Sequence, residues 1–593
     1  MGPAMSGRTH PELGRTGFAA WLTAIALLAI VLRGLFPTAD PPWYSTVGIV
    51  WHDEGAWTHN ARNKALFGQW SEDQWNPLYI APVFTGLEYV SFATFGVGVW
   101  QARLVSEVTG VLSVILLALG VRRIAGREAG LIAGALLATD YVYVMWNRAA
   151  LMEASMVAFM VFAWYCYVRA QTRPIWGVLA ALCALLAYFT KAAAVFFVVA
   201  LGIEALITLI RPTTTDAAAE LSRKAARMTL VGLTVWGLLA LAVFVGPHWT
   251  EYRFYNWQMS VTRKPSYDLR SILNRVTWFP INHDIFTRMW FMVVVSVAAL
   301  FSALARWRRV DAGERLLVWW VALGVGELLA HDVSNERRFI FFIPALAALT
   351  ALVLGRDRRL FSLREPPITR RDLLLASPVI AYAMYVVLGS LARLPFLYEP
   401  GPGVRLGAAL AVLATALIYA TWPRLQAFLA GPQWSLPAAF LLAAVVSAGQ
   451  VAQYVQWAMG RTYKNYLASV ELGTVLPPGT LVHGKLANGL ALENKIRPIF
   501  VGTGFGNYAD RKQRDDVRYI LTYVVPRVGY EGAIIHDVLE AYPNRSIIKT
   551  FDVAESTIGH DRAALIDKFG GQASGADDRT RAQTNAGPAR AKH

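Results

Sequence analysis

Two adjacent carboxylates, Asp53 and Glu54, open the stretch WHDEGAWTHNARNKALFGQW between Trp51 and Trp70. They follow an apolar segment and precede a helically spaced run, Trp57, Ala61 and Ala65, which Gly68 is placed to end as a C-cap. A carboxylate at a membrane surface beside Trp51 and Trp57 is partly desolvated, which raises its pKa and suits general-base work. The same acids would also serve as an acidic N-cap, stabilising the first turn of an interfacial helix through its dipole. The neighbouring His52, His59, Asn60, Arg62 and Lys64 are denser than a simple anchor requires.

Cations that could answer an anionic ligand lie far along the chain. Lys191, in YFTKAAA, interrupts continuous apolar sequence, where a charge costs about 2.5 to 3.5 kcal/mol on insertion scales, so it is a functional candidate. It could equally snorkel at a helix end. Arg148, in MWNRAALMEAS, stands at a similar turn with Glu153 just inside the next span, and the two could simply pair. HDVSNERRF, from His331 to Phe339, sets Arg337 and Arg338 side by side in a short loop. A phosphate ligand would account for them, because the planar donors of arginine match phosphate oxygens; an Arg–Glu network tying loops together would also do so. The loop 246–285 is rich in aromatics that suit sugar rings but also populate every membrane interface. Gly502 to Gly506, GTGFG, lacks the full dinucleotide spacing.

The elements that must position these residues are mostly membrane spans. The 593-residue chain is 55% hydrophobic and 16% charged, with a mean hydropathy of +0.39, which fits a polytopic α-helical membrane protein and not a soluble domain. Its formal charge of +16 comes largely from Arg clusters between apolar runs, where the positive-inside rule expects them, so nucleic-acid binding is not implied. Cys166 and Cys183 lie within apolar runs and give neither a disulfide framework nor a metal site. About thirteen spans are expected between residues 17 and 456, the first being a retained helix and not a cleaved signal peptide. Loop charges put the N-terminus, 1–16, in the cytoplasm and the loop 37–103 outside, with everything after Tyr454 on that same outer side. Residues 460–569 alternate short apolar runs with helix-compatible segments and read as a small α/β domain, with strands near Thr480–His483, Pro498–Val501, Tyr519–Val525 and Ser546–Phe551. Residues 570–593 hold no large apolar residue and read as a disordered tail.

The order of these features resembles the membrane glycosyltransferases of the C superfamily (GT-C), in particular the bacterial branch near the protein O-mannosyltransferases of glycosyltransferase family 39 and the aminoarabinose transferase that modifies lipid A. The matching residues are Asp53-Glu54, Ala61-Arg62, Gly68-Gln69-Trp70, Asn76-Pro77-Leu78-Tyr79, Ala102-Arg103-Leu104, Arg148 with Glu153, Thr190-Lys191, and Arg337-Arg338 before Pro344. Glu153 is a departure, since Asp is more usual in the mannosyltransferases. The resemblance implies a GT-C-type body with interfacial helices in its first outer loop, in the plasma membrane. It also implies an inverting glycosyltransferase that takes a sugar from a polyprenyl-phosphate donor to a glycan, lipid or protein acceptor. On that reading Asp53 is the general base and Glu54 supports it or binds the acceptor. Lys191, Arg337, Arg338 and Arg148 would hold the donor phosphate, and His52, His59, Arg62, Tyr79, Glu153 and His331 would contact substrate. No cofactor is required, although His52, His59 and the carboxylates could bind a divalent metal. Two alternatives stand: an oligosaccharide transferase, which would need an acidic metal cluster, and a non-catalytic transporter or flippase of lipid-linked sugar, which would show paired broken helices in two repeats. The sequence shows no such repeat.

Overall fold

The computed structural model describes residues 14–42, 51–71, 73–211, 216–261, 288–331, 336–358, 369–393, 403–429, 433–502, 505–506, 508–524, 537–554 and 561–570. The expected cytoplasmic residues 1–13, most of the aromatic loop beyond residue 261, Asp332 and the tail 571–593 lie outside that set.

Four helices frame the first loop: α1 (Arg15–Gly34), α2 (His52–Phe67), α3 (Pro82–Phe95) and α4 (Val99–Ala125). Gly68 ends α2 at φ +77° with its amide on the Lys64 carbonyl, the left-handed C-cap expected of it. Next come α5 (Arg127–Thr139) and α6 (Tyr141–Asn147), which by hydropathy share a single candidate span from Ala129 to Met145. They meet instead at a 62° bend, because Asp140 stops the first helix and caps the second, its Oδ1 accepting from the Tyr143 amide at 2.8 Å.

The body continues through α7 (Met152–Ala170), α8 (Trp176–Thr190), α9 (Val195–Ile210), α10 (Asp216–Ala240), α11 (Trp249–Val261), α12 (Trp290–Ala305) and α13 (Ala312–His331). A 3₁₀ segment, Glu336–Phe342, then leads into α14 (Ile343–Ala351), followed by α15 (Arg370–Arg393), α16 (Gly403–Leu429) and α17 (Leu436–Met459). Seven described helical segments are long and apolar enough to cross a membrane, eight if the bent pair counts as one span. The expectation of thirteen counted shorter pieces as well: α8 has 15 residues and α12 has 16, about 22–24 Å of helix against a hydrocarbon core of about 30 Å.

The C-terminal part opens with α18 (Lys464–Val475) and holds a mixed five-stranded sheet of order β2-β1-β5-β7-β6. Its strands are β1 (Leu481–His483), β2 (Arg497–Ile499), β5 (Tyr519–Tyr523), β6 (Ser546–Val553) and β7 (Asp561–Asp567), with β1 parallel to both β2 and β5. Val501–Gly502 (β3) and Phe505–Gly506 (β4) form a separate two-stranded ribbon from the GTGFG stretch. β7, in DRAALID, is absent from the strands expected above, yet it lies between β5 and β6; its alanines and terminal charges hide a strand whose inner residues 563–566 are buried. A short helix, α19 (Lys485–Gly489), follows β1 directly.

Docking of this domain on the first loop is close and polar. A Cβ on Gly55 would stand 1.8 Å from the Asn488 carbonyl oxygen, and one on Gly489 would stand 2.8 Å from the His52 Cα, so α2 and α19 touch through backbone where no side chain fits. Asp40 accepts from the amides of Lys464 and Asn465 at 2.7 and 3.1 Å, satisfying orphan donors at the start of α18. Asp73 accepts from the Phe500 amide at 2.6 Å, and Trp75 stacks on the Phe500 ring with centroids 4.5 Å apart.

Candidate active site

Asp53 and Glu54 both lie in the first turn of α2, whose cap position is Trp51 and carries no side-chain cap bond. Their backbone places them one helical step apart, so they point in different directions. Glu54 turns toward the body: Arg103 of α4 grips both its oxygens at 2.8 Å, and its Oε1 also accepts from the Ala150 amide at 2.8 Å. The pair is buried, and it ties α2 to α4 and to the turn before α7. Its partners make Glu54 an anchor for the first loop.

Asp53 turns toward cations. Arg337, from the 3₁₀ segment, bonds its Oδ2, and Lys485, the first residue of α19, stands 2.6 Å from its Oδ1. Burial opposes the charge on Asp53, but Arg337 and Lys485 outweigh it and hold the carboxyl well below the usual range. His52 beside it is pushed down to about 3 by burial and by Lys485, so its imidazole is neutral.

A second ion pair adjoins the first. Lys191 is the C-cap of α8, where the helix gives way to a 3₁₀ turn, and its Nζ donates to Glu153 Oε1 at 2.6 Å. Glu153 opens α7, where the helix dipole favours an anion. The charge of Arg337 acts on Asp53, Glu153 and Lys191 alike, so the two pairs form one electrostatic unit. Arg338 bonds Glu327 of α13 at 3.2 Å, and its charge also reaches Lys191. Among the described residues, Lys191, Arg337, Arg338 and Lys485 are thus paired with Glu153, Asp53 and Glu327. The side chains of Lys191, Arg337, Lys485 and Asp53 keep 20, 13, 12 and 10% of their surface exposed, enough for a ligand to reach them.

The other residues singled out in the sequence have different employment. Arg148 does not join the cation group and does not pair with Glu153; its guanidinium donates to the carbonyls of Leu32, Arg33 and Phe36 at 3.1, 2.5 and 2.9 Å, closing the end of α1, and lies 4.6 Å from the Trp457 ring. Arg62 and His59 bond the outer domain. Arg62 donates to the carbonyls of Ala491, Asn494 and Ile496 at 2.9–3.0 Å, and His59 Nδ1 meets the Asn488 amide nitrogen at 3.0 Å. Among the described residues no group of three or more His, Cys, Asp or Glu could hold a metal. Tyr79 stacks at 5.9 Å on Tyr255 and lies 5.6 Å from His248, forming an aromatic wall with the start of the loop after α10. His331 closes α13, and its side chain lies outside the described residues.

Two residues of this region carried no role in the sequence reading. Arg103 appeared only as part of a resemblance, and Lys485 not at all. Gly484 turns the chain at φ +119° from β1 into α19, and a Gly-Lys step after a short apolar run is the one local sign available in the sequence. Nothing local connects it to Asp53.

The chain combines a helical membrane body, a carboxylate at the start of a first-loop helix, cations gathered on it from separate turns and a docked α/β domain. Residues 80–241 match the family model described as dolichyl-phosphate-mannose-protein mannosyltransferase, a segment that contains Arg103, Glu153 and Lys191. The fold matches the crystal structure of ArnT from Cupriavidus metallidurans bound to undecaprenyl phosphate at 17% identity and a TM-score of 0.52, covering 95% of this chain and 100% of that one. The apo structure of the same protein matches at 16% identity and 0.53, covering 93% and 98%. AglB, the archaeal oligosaccharyltransferase from Archaeoglobus fulgidus, aligns at 12% identity with a TM-score of 0.43, over 92% of this chain and 74% of that one. A search of curated proteins finds no match. The chain is a multi-pass membrane protein whose residues 80–241 are similar to the mannosyltransferase family model and whose fold is similar to that of ArnT.

Proposed function

We propose that this protein transfers a sugar from a polyprenyl-phosphate donor to an acceptor hydroxyl at the outer face of the membrane, with inversion at the anomeric carbon. The observation that carries this reading is the Asp53 carboxylate set among Arg337, Lys485 and the Lys191–Glu153 pair. A base for the acceptor and cations for a departing phosphate are the two requirements of such a transfer, and both meet here. The acceptor oxygen attacks the anomeric carbon and gives its proton to Asp53. The bond from that carbon to the phosphate oxygen breaks, and polyprenyl phosphate leaves with one more negative charge. Arg337 and Lys191 stabilise that charge as it develops, in a site largely closed to water. The match to a transferase whose structure was solved with undecaprenyl phosphate supports a lipid phosphate as donor carrier.

The test is direct: purified full-length protein in lipid nanodiscs is incubated with a panel of polyprenyl-phosphate sugars, and release of polyprenyl phosphate is scored. Asp53→Asn should cut turnover by about 100-fold or more, the usual worth of a positioned base. Full turnover in that variant would remove Asp53 from the mechanism.

A further inference from the structure

Lys485 belongs to the outer domain, yet it is a direct partner of the candidate base. β1, β2 and β5 run parallel, and β1 lies between the other two. Ligands of parallel α/β sheets gather at the carboxyl ends of the strands. Lys485 leaves the carboxyl end of β1 through Gly484, whose amide is held by the Ile499 carbonyl at 3.0 Å. α19 is fixed against α2 by the backbone contacts at Gly55 and Gly489 and by the three bonds of Arg62 to the chain just beyond it. The base of the Lys485 side chain is therefore rigid, while its four-carbon stem lets the ammonium move by several ångströms.

Asp53 receives a cation on each oxygen. A carboxylate so held is ionised but weakly basic, since a proton arriving on it must displace an ion pair. An entering phosphate offers more charge and more acceptor oxygens than Asp53 does.

We propose that Lys485 carries the outer domain into the active site as a donor-phosphate ligand. Together with Arg337 it clamps Asp53 while the site is empty and passes to the phosphate when the donor binds, which releases Asp53 for the acceptor hydroxyl. This rests on the function proposed above. It makes base activation conditional on donor binding, so that Asp53 does not act on an acceptor, or on water, in an empty site.

The experiment measures equilibrium binding of polyprenyl phosphate to the full-length protein in nanodiscs, with inorganic phosphate and a neutral polyprenol as comparison ligands. Phosphate and Asp53 compete for the same two cations, so Asp53→Asn should bind polyprenyl phosphate about tenfold more tightly than wild type, the worth of one charge-assisted bond. Lys485→Gln should bind it about tenfold more weakly, Lys485→Arg should restore most of that loss, and the gain from Asp53→Asn should shrink in the Asp53→Asn, Lys485→Gln double variant. Folding is followed by the thermal transition, and Lys485→Arg keeps the charge if Lys485→Gln weakens the domain dock. Unchanged affinity in both Asp53→Asn and Lys485→Gln overturns the handover, as does a gain that persists undiminished in the double variant. Loss of turnover in Asp53→Asn with no affinity change would sink this inference alone; full turnover in Asp53→Asn would sink the proposed function.

Discussion

Replacing Glu54 with Gln leaves Arg103, 5% exposed, with half its partner gone, while replacing Asp53 with Asn leaves Arg337 and Lys485, 13 and 12% exposed and so partly reached by water, without the charge between them. Breaking a buried pair at one end costs about 3–5 kcal/mol, so Glu54→Gln should lower the thermal transition strongly, whereas Asp53→Asn should affect turnover far more than stability. Equal stability losses would mean that the two acids share one role. His52 and His483 supply a pH dependence. Burial first, then Lys485 for His52 and Lys568 with Arg514 for His483, push both imidazoles down to about 3, against 6.5 for the free side chain. Between those values the unfolded chain takes up protons that the folded chain refuses, so stability falls as pH drops from 6.5 toward 3, by up to about 1.4 kcal/mol per pH unit for each residue. Thermal unfolding at pH 6.5 and 5 should show that loss in wild type, and His483→Asn should flatten it. Asp53 has its own window: its depressed carboxyl contributes stability above the unfolded value of 3.8, and that contribution disappears only below it.

The helix α2 is the element on which both sides of the site depend. Its interior is polar and almost wholly buried, from His52 through Asn63, which no amphipathic pattern would suggest. The reason is that α2 lies between the membrane body and the outer domain, and spends its polar groups on both. Gly55→Ala would drive a methyl into the Asn488 carbonyl and should separate α19 from α2. Arg62→Ala removes three bonds to carbonyls, about 3 kcal/mol or more of docking. Limited proteolysis should then cut both variants ahead of α18 at rates several-fold above wild type, with activity falling in step; a domain that stays protected would show that the dock does not rest on α2. The Gly68 cap and the turn at Lys191 were legible because single residues decide them locally, by a left-handed backbone and by a charge that ends an apolar run. The break at Asp140 was not, since the thirteen residues of α5 and the seven of α6 read as one mostly apolar span until the cap bond to Tyr143 is seen.

For the whole molecule, contact between Asp53 and Lys485 requires the first loop and the C-terminal domain to share one face of the membrane. Cysteine labelling checks the orientation proposed for that face: Lys64→Cys and Glu471→Cys should react with an impermeant maleimide from outside, and Arg173→Cys only after the membrane is opened. The native Cys166 and Cys183 are buried and should stay silent. The class of protein, a helical membrane body with a carboxylate pair after its first span and a small α/β unit near its end, followed from the sequence alone, because hydropathy and loop charge act along the chain over stretches of about twenty residues. So did Lys191, a charge that interrupts apolar sequence, Asp53, in a polar run after the first span, and Arg337, one of two adjacent arginines in a short loop. Which charges meet was decided only by the tertiary structure. Glu54 goes to Arg103, close packing of α2 on α19 brings Lys485 to Asp53, and Arg148 closes α1, because ion pairing is set by distances across the fold and carries no local sequence signature.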